Sequence, residues 1–102
     1  MIVAGVMSGT SADGINVALL SIAGRGRRTR FRLLAHRQYP YPREVRRAVL
    51  AAMNAKSARV ADLARLNFLL GHLCADATLK TLRHARRKSV DLVGCHGQTL
   101  YH

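Results

Sequence analysis

Two short stretches of the 102-residue chain hold residue types that could do chemistry. The first, Ser8-Gly9-Thr10-Ser11-Ala12-Asp13-Gly14, interrupts two apolar runs. A turn of this composition can aim successive backbone N–H groups and the Thr10 and Ser11 hydroxyls at an anion, as phosphate-binding nests do. Asp13 has the wrong sign for direct phosphate contact but suits Mg²⁺ or its waters. The second stretch, His96-Gly97-Gln98-Thr99, follows the last apolar run and adds an imidazole, an amide and a hydroxyl. A purely local reading stays open beside this one. Asp13-Gly14 is common hairpin chemistry, with glycine accepting positive φ at no steric cost, and Ser and Thr satisfy nearby backbone groups. No G-x-x-x-x-G-K-[ST] pattern is present, so the turn is not a P-loop. No residue stands out as a catalytic base.

The elements that must position these stretches follow from periodicity. Residues 2–7 and 15–22 are short apolar runs bounded by turn residues and read as strands. In the second, Val17 and Leu19 alternate with Ala18 and Leu20, so both faces are apolar and ask for cover on both sides. Residues 31–38 form a third, more polar strand that suits an edge. Short turns join the three into an antiparallel meander. Pro42 fixes φ for a helix start, with Val45, Val49, Ala52 and Met53 on one face. A second helix is expected from about 58 to 88. Its stripe is Leu63, Leu66, Leu70, Leu73 and Ala77, with Asp62 in its first turn and Arg86, Arg87 and Lys88 in its last. Gly71 in its middle calls for close packing or a break. "VDLVGC" (90–95) is a last strand, reached by a helical crossover and so parallel to one of the first three. The fold class is α/β. Ligands of open α/β sheets bind beyond the carboxyl ends of parallel strands. If the first and last strands are neighbours, both polar turns share one crevice. Two helices cannot cover both faces of such a sheet, so the chain reads as part of a larger unit.

Composition bounds the rest. Seventeen Lys and Arg against five Asp and Glu give a formal net charge of +12. Such a charge invites a nucleic-acid partner. Aromatic residues are sparse, are not interleaved with the arginine clusters, and form no known nucleic-acid motif, so the sequence alone argues against that partner. No run reaches the ~18 apolar residues of a membrane span, and the N-terminus lacks a secretory pattern, so the expected compartment is the cytoplasm. Cys74 and Cys95 read as reduced residues of the core. Cys95, His96 and His102 are close in sequence, but their spacing is not that of a zinc site.

The stretch GVMSGTSADGIN (5–16), followed some eighty residues later by GCHGQTLYH (94–102), resembles the anhydro-N-acetylmuramic acid kinases. The intervening LARLNFLLGHLCADATLKTL (63–82) resembles their long helix, and the likeness runs from Ile2 to His102. The resemblance implies membership of the sugar kinase, heat-shock protein and actin superfamily. Residues 1–102 would then form the N-terminal part of the first, ribonuclease-H-like lobe of a two-lobe kinase, with the second lobe absent from this chain. It implies ATP and Mg²⁺ as cofactors and 1,6-anhydro-N-acetylmuramic acid as substrate, opened by water and phosphorylated to the 6-phosphate sugar in peptidoglycan recycling. Gly9, Thr10, Ser11, Ala12, Asp13, Gly14, Ile15 and Asn16 fall on the family's ATP-binding turn, with Asp13 toward the metal. His96, Gly97, Gln98 and Thr99 fall on its second motif, on the sugar side of the cleft. The family's catalytic aspartate belongs to a later G-x-D-T-G-P-G-N type motif that this chain lacks, so the isolated chain is expected to be inactive. A homodimer is expected of the whole enzyme. Two positions depart from the pattern, Asn16 and Asn67, where the family usually has aspartate. At Asn16 the acceptor oxygen survives and the charge does not. The alternative function is a basic module that binds nucleic acid or an acidic partner on a remnant kinase fold.

Overall fold

The computed structural model describes residues 1–102. β1 (Ile2–Ser8), β2 (Gly14–Ala23) and β3 (Arg30–Pro40) form the expected antiparallel meander. They are followed by α1 (Arg43–Ala52), α2 (Val60–His84) and β4 (Leu92–Gln98). The strand order is β3-β2-β1-β4, with β4 parallel to β1. The chain is therefore α/β, with a mixed four-stranded sheet and two helices.

Alternation along the strands decides which face is covered. Ala4, Val6 and Ser8 of β1 and Ile15, Val17 and Leu19 of β2 are buried beneath the helices. The main core joins Val6, Ile15 and Val17 to Tyr41, Val45, Val49, Leu66 and Ala77. A smaller cluster of Ala4, Leu19 and Leu82 lies nearer the start of β1. Both helices pack on this one face. The other face presents Met7, Phe31, Leu33 and Leu92, which are 51–73% exposed. The apolar character of both faces was readable in the sequence, and only one of them is covered.

The helices differ from expectation in detail. Pro42 is the N-cap of α1 rather than its first helical residue; its carbonyl accepts the Arg46 N–H at 3.0 Å. α2 is shorter than periodicity suggested, and Arg86, Arg87 and Lys88 lie beyond it, leaving Arg83 and His84 in its last turn. The stop is made by Arg86 in the left-handed region, φ 56°, with the Arg87 N–H closing on the Leu82 carbonyl at 2.9 Å. That is the geometry of a C-terminal cap usually built with glycine. Gly71 neither breaks α2 nor packs closely: a Cβ there would meet nothing within 4 Å. The 25 residues run on unbroken for roughly 37 Å.

Candidate functional site

β1 and β4 are neighbours and point the same way, so the two polar stretches leave the sheet at one rim. In the first, the Ala12 N–H donates to the Gly9 carbonyl at 3.1 Å, closing a turn over Thr10 and Ser11. The residue with positive φ is Ala12, at 53°, and not Gly14. Ala12 is fully buried in the main core, so packing of its methyl group holds the turn in this conformation. Gly14 is required for a different reason. A Cβ there would overlap the Tyr39 carbonyl oxygen and stand 2.8 Å from Pro40 Cα, because β3 passes directly over it. Close approach of β3, and not the positive φ expected of an Asp-Gly turn, is what demands glycine at this position.

Thr10 and Ser11 are exposed, and their N–H groups have no partner within the protein. Asp13 accepts the Tyr41 N–H through its carbonyl at 3.1 Å, while its carboxylate lies 3.8 Å from the Arg46 guanidinium. Both side chains of that pair are about half exposed, so it is worth under ~1 kcal/mol and can be exchanged for another ligand. Beyond Asp13 the motif enters β2. Ile15 is a core residue, and Asn16 faces the uncovered side of the sheet, paired in register with Met7 and Gln38. Of the eight residues in the first motif, five thus form the turn and three its anchoring strand.

The second stretch ends β4. The register slips between Val6 and Met7, which makes His96 an extra, exposed residue and lets Gly97 adopt φ 80°. This bulge turns the Gln98 side chain under the first turn. Gln98 Nε2 donates to the Gly9 carbonyl at 2.8 Å and to the Thr99 carbonyl at 3.0 Å. Gln98 Oε1 accepts from Ser8 Oγ at 2.6 Å and from Tyr41 Oη at 3.0 Å. Both N–H groups and both lone pairs of the amide are used, and the two carbonyl acceptors fix which end is the nitrogen. Gln98 is therefore a latch joining β4, the turn and the approach to α1.

Ser8 belongs to the first polar stretch but not to the expected ATP-binding positions, and Tyr41 carries no expectation from the sequence. The signal for Ser8 was its place in the alternation Ala4, Val6, Ser8, which puts a hydroxyl on the buried face. Tyr41 stands between two prolines just before a helix, where an apolar ring anchors the chain; its hydroxyl needed a partner that only the fold supplies. Burial raises the Tyr41 pKa above its ordinary value, with the Ser8 hydrogen bond opposing.

Beside the latch, a cleft of about 380 Å³ opens between α2 and β4. Its walls include Leu66, Asn67, Leu70 and Cys74 on the helix and Cys95 and Gly97 on the strand. Asn67, one of the two departures, faces this cleft, whereas Asn16 does not line it. The two cysteines meet across it as free thiols; Cys74 is pushed up to about 11 by burial and by Cys95 beside it. Both are reduced, as the sequence suggested; Cys74 packs against the main core, whereas Cys95 is exposed and not a core residue. A larger recess of about 650 Å³ between α1 and the start of α2 is lined mainly by alanine and leucine, away from both turns. No three His, Cys, Asp or Glu side chains gather to hold a metal ion, and Asp13 stands as a lone carboxylate.

The family model described as anhydro-N-acetylmuramic acid kinase matches residues 1–102. The chain belongs to this family. A relative of that name from Caldanaerobacter subterraneus subsp. tengcongensis is 45% identical over 103 residues, covering 99% of this chain and 26% of the relative. Anhydro-N-acetylmuramic acid kinases of Bacillus cereus strain Q1 and Bacillus anthracis strain CDC 684 are each 38% identical over 104 residues, all of this chain and 27% of theirs. The chain thus spans about a quarter of the length of these relatives.

For a kinase family the geometry has a direct chemical sense. Two unpartnered N–H groups, two exposed hydroxyls and the Arg46 guanidinium favour negative charge at the turn. Asp13 alone could serve Mg²⁺ in the usual way, with one carboxylate and the remaining positions filled by water and phosphate oxygens.

Proposed function

We propose that this chain supplies the phosphate-binding turn and the adjoining strand of an ATP-dependent kinase that acts on 1,6-anhydro-N-acetylmuramic acid. The observation that carries the reading is the Gln98 latch, which fixes the first turn against the HGQT segment at the carboxyl rim of two parallel strands. The Thr10 and Ser11 N–H groups donate to phosphate oxygens, and Arg46 adds positive charge beside them. Asp13 holds Mg²⁺, directly or through water. ATP, when bound, provides the phosphoryl group. His96, exposed on its bulge, and Thr99 face the sugar side, while Gln98 keeps the two sides in register. Gly14, Ile15 and Asn16 act as the anchoring strand of the ATP-binding motif.

In the whole protein the sugar's anhydro bridge is opened by water as O6 is phosphorylated, giving the 6-phosphate used in peptidoglycan recycling. The base for that water is assigned to a segment outside these residues, so the chain alone is inactive. The four strands and two helices fit the opening of a ribonuclease-H-like lobe, in a cytoplasmic enzyme that works as a homodimer. No helix is long and apolar enough to cross a membrane.

Mg²⁺-ATP titrated into the ¹⁵N-labelled chain should shift the amide signals of Thr10, Ser11 and Ala12. Asp13→Asn should remove the Mg²⁺ dependence of the shifts while leaving the fold intact. Shifts confined to residues away from the rim would end the phosphate-turn assignment. For the reaction, the protein extended through its complete reading frame should form sugar 6-phosphate from ATP and the anhydro sugar. A folded, complete protein that forms none is not this kinase.

A further inference from the structure

The arginine clusters are scattered in sequence and gathered in space. The start of β1 is held to the end of β2 by the Ile22 N–H on the Met1 carbonyl, 2.8 Å, and to the start of β4 by the Ile2 N–H on Asp91 Oδ2, 2.7 Å. Ala23 pairs with Arg30 across the β2–β3 hairpin. Leu82, near the end of α2, packs on Ala4 and Leu19, with Leu34, Ala85 and Val90 around them. The hairpin, the end of α2 and the approach to β4 therefore share one end of the molecule. It lies about 20 Å along β1 from the Ser8–Gln98 rim, at 3.3 Å per residue.

The hairpin brings Arg25, Arg27, Arg28, Arg30 and Arg32 to that end, and the stretch closing α2 brings Arg83, Arg86, Arg87 and Lys88. All nine side chains are exposed. The only two ion pairs of the molecule, Arg46–Asp13 and Arg65–Asp62, lie elsewhere. Of the five acidic residues only Asp91 is at this end, and its carboxylate is engaged by Ile2. More than half of the cationic side chains thus crowd one pole, with Asp91 as the one internal counter-charge and no ion pair among them.

The backbone holds them in place. Gly24 (φ 84°) and Gly26 (φ 53°) shape the hairpin tip into a single 3-10 turn, closed by Thr29 Oγ1 on the Gly26 carbonyl at 2.7 Å. Arg86 occupies a left-handed helix cap where glycine is the unstrained choice, so a guanidinium is kept there against local conformational preference.

Three kinds of partner could neutralise such a pole, and the hairpin tip separates them. Its recess of about 580 Å³ is lined by Gly24, Arg25, Arg27, Arg28, Thr29 and Arg30, without one apolar side chain. A bilayer-docking tip needs apolar groups to insert, and a protein interface needs buried apolar or aromatic anchors; the nearest such group, Phe31 between Arg30 and Arg32, belongs to the open sheet face and not to this recess. A phosphodiester chain needs neither. Arginine forks, eight of the nine cations here, match phosphate oxygens two at a time. We propose that this basic pole docks the phosphate backbone of duplex nucleic acid without reading its sequence. No Asn or Gln stands at the tip to read base edges, and Phe31, exposed between Arg30 and Arg32, carries no hydrogen-bonding group, so polar contact is limited to the backbone.

The test is fluorescence anisotropy of a labelled DNA duplex of scrambled sequence, titrated with the chain across a salt series. Binding should weaken steeply with salt. Arg25→Gln/Arg27→Gln/Arg28→Gln and, separately, Arg86→Gly/Arg87→Gln/Lys88→Gln should each weaken it about tenfold or more at low salt. Each should also flatten the log–log salt slope by roughly 2–3. Arg43→Gln/Arg47→Gln/Lys56→Gln removes the same charge away from the pole and should change affinity less than about threefold, since its distance exceeds the screening length. The proposal is overturned if that control weakens binding as much as the pole variants do, or if affinity is insensitive to salt. It is equally overturned if phosphatidylserine-containing vesicles are bound more tightly than the duplex.

Discussion

At the scale of single residues, the site is held by one amide. Gln98 has four hydrogen bonds to make and makes four, and its partners come from β1, the turn, the segment before α1 and its own neighbour. Removing it would cost more than those bonds, because Ser8 and Tyr41 are both buried, and their hydroxyls would be left without acceptors. Gln98→Leu, close in volume, should therefore destabilise the chain by roughly 2–4 kcal/mol. Ser8→Ala, which removes one of two donors to the same oxygen, should cost about 1 kcal/mol. Urea unfolding of both variants checks the order; a leucine variant as stable as the alanine one would mean the latch does not bear on the fold. The sequence marked HGQT as a unit by resemblance and gave no hint of which member was structural. Nothing local to a glutamine tells whether its amide will face a ligand or be saturated by the protein.

At the scale of elements, β4 is the least supported strand. Five of its seven residues are exposed, and α2 stands off from it across the cleft, in contrast to its close packing on β2. Cys74 of α2 and Cys95 of β4 face each other across this gap near the latch, and Cys74 responds to pH. Burial and the neighbouring Cys95 raise Cys74 from 9.0 to about 11. The folded state therefore favours the protonated thiol. Its contribution is complete below pH 9, where both states hold the proton, and is lost as pH rises toward 11, where the unfolded chain ionises first. Tyr41, also raised by burial, acts in the same direction at still higher pH. Urea midpoints should fall between pH 8.5 and 10.5, and Cys74→Ala should lose a clear part of that fall; an unchanged pH profile in the variant would refute the assignment. The elements themselves were largely legible. Strand alternation, the α1 face and the parallel crossover all followed from periodicity, because each reports a local match between pattern and pitch. What escaped was set by contacts distant in sequence: the strand passing over Gly14, the bulge at His96 and the two cysteines brought face to face across the cleft. The end of α2 escaped as well, because an arginine, not a glycine, takes the left-handed cap.

At the scale of the whole molecule, surface outweighs core. The accessible area is 7628 Å², against roughly 5,700 Å² expected of a compact monomer of 11.2 kDa. Only 16 of 102 residues are buried, and the Cα radius of gyration of 15.3 Å exceeds the ~13 Å typical of a domain this size. Part of the excess lies on the uncovered sheet face, where Phe31 is 73% and Leu33 is 58% exposed on edge strand β3, and part on α2, which exposes Val60 and Phe68. An apolar face that ends in an unpaired strand edge favours association. The charge of the basic pole opposes it, but charge repulsion is screened by salt and apolar burial is not. The isolated chain should thus self-associate more as salt is raised, and Phe31→Thr/Leu33→Thr should restore the monomer. Because both side chains already lie in water, the double variant should change unfolding stability by no more than ~1 kcal/mol. Light scattering after size exclusion at low and high salt measures this. A chain that stays monomeric at high salt, or a double variant that associates as before, would place the adhesive surface somewhere other than the open face of the sheet.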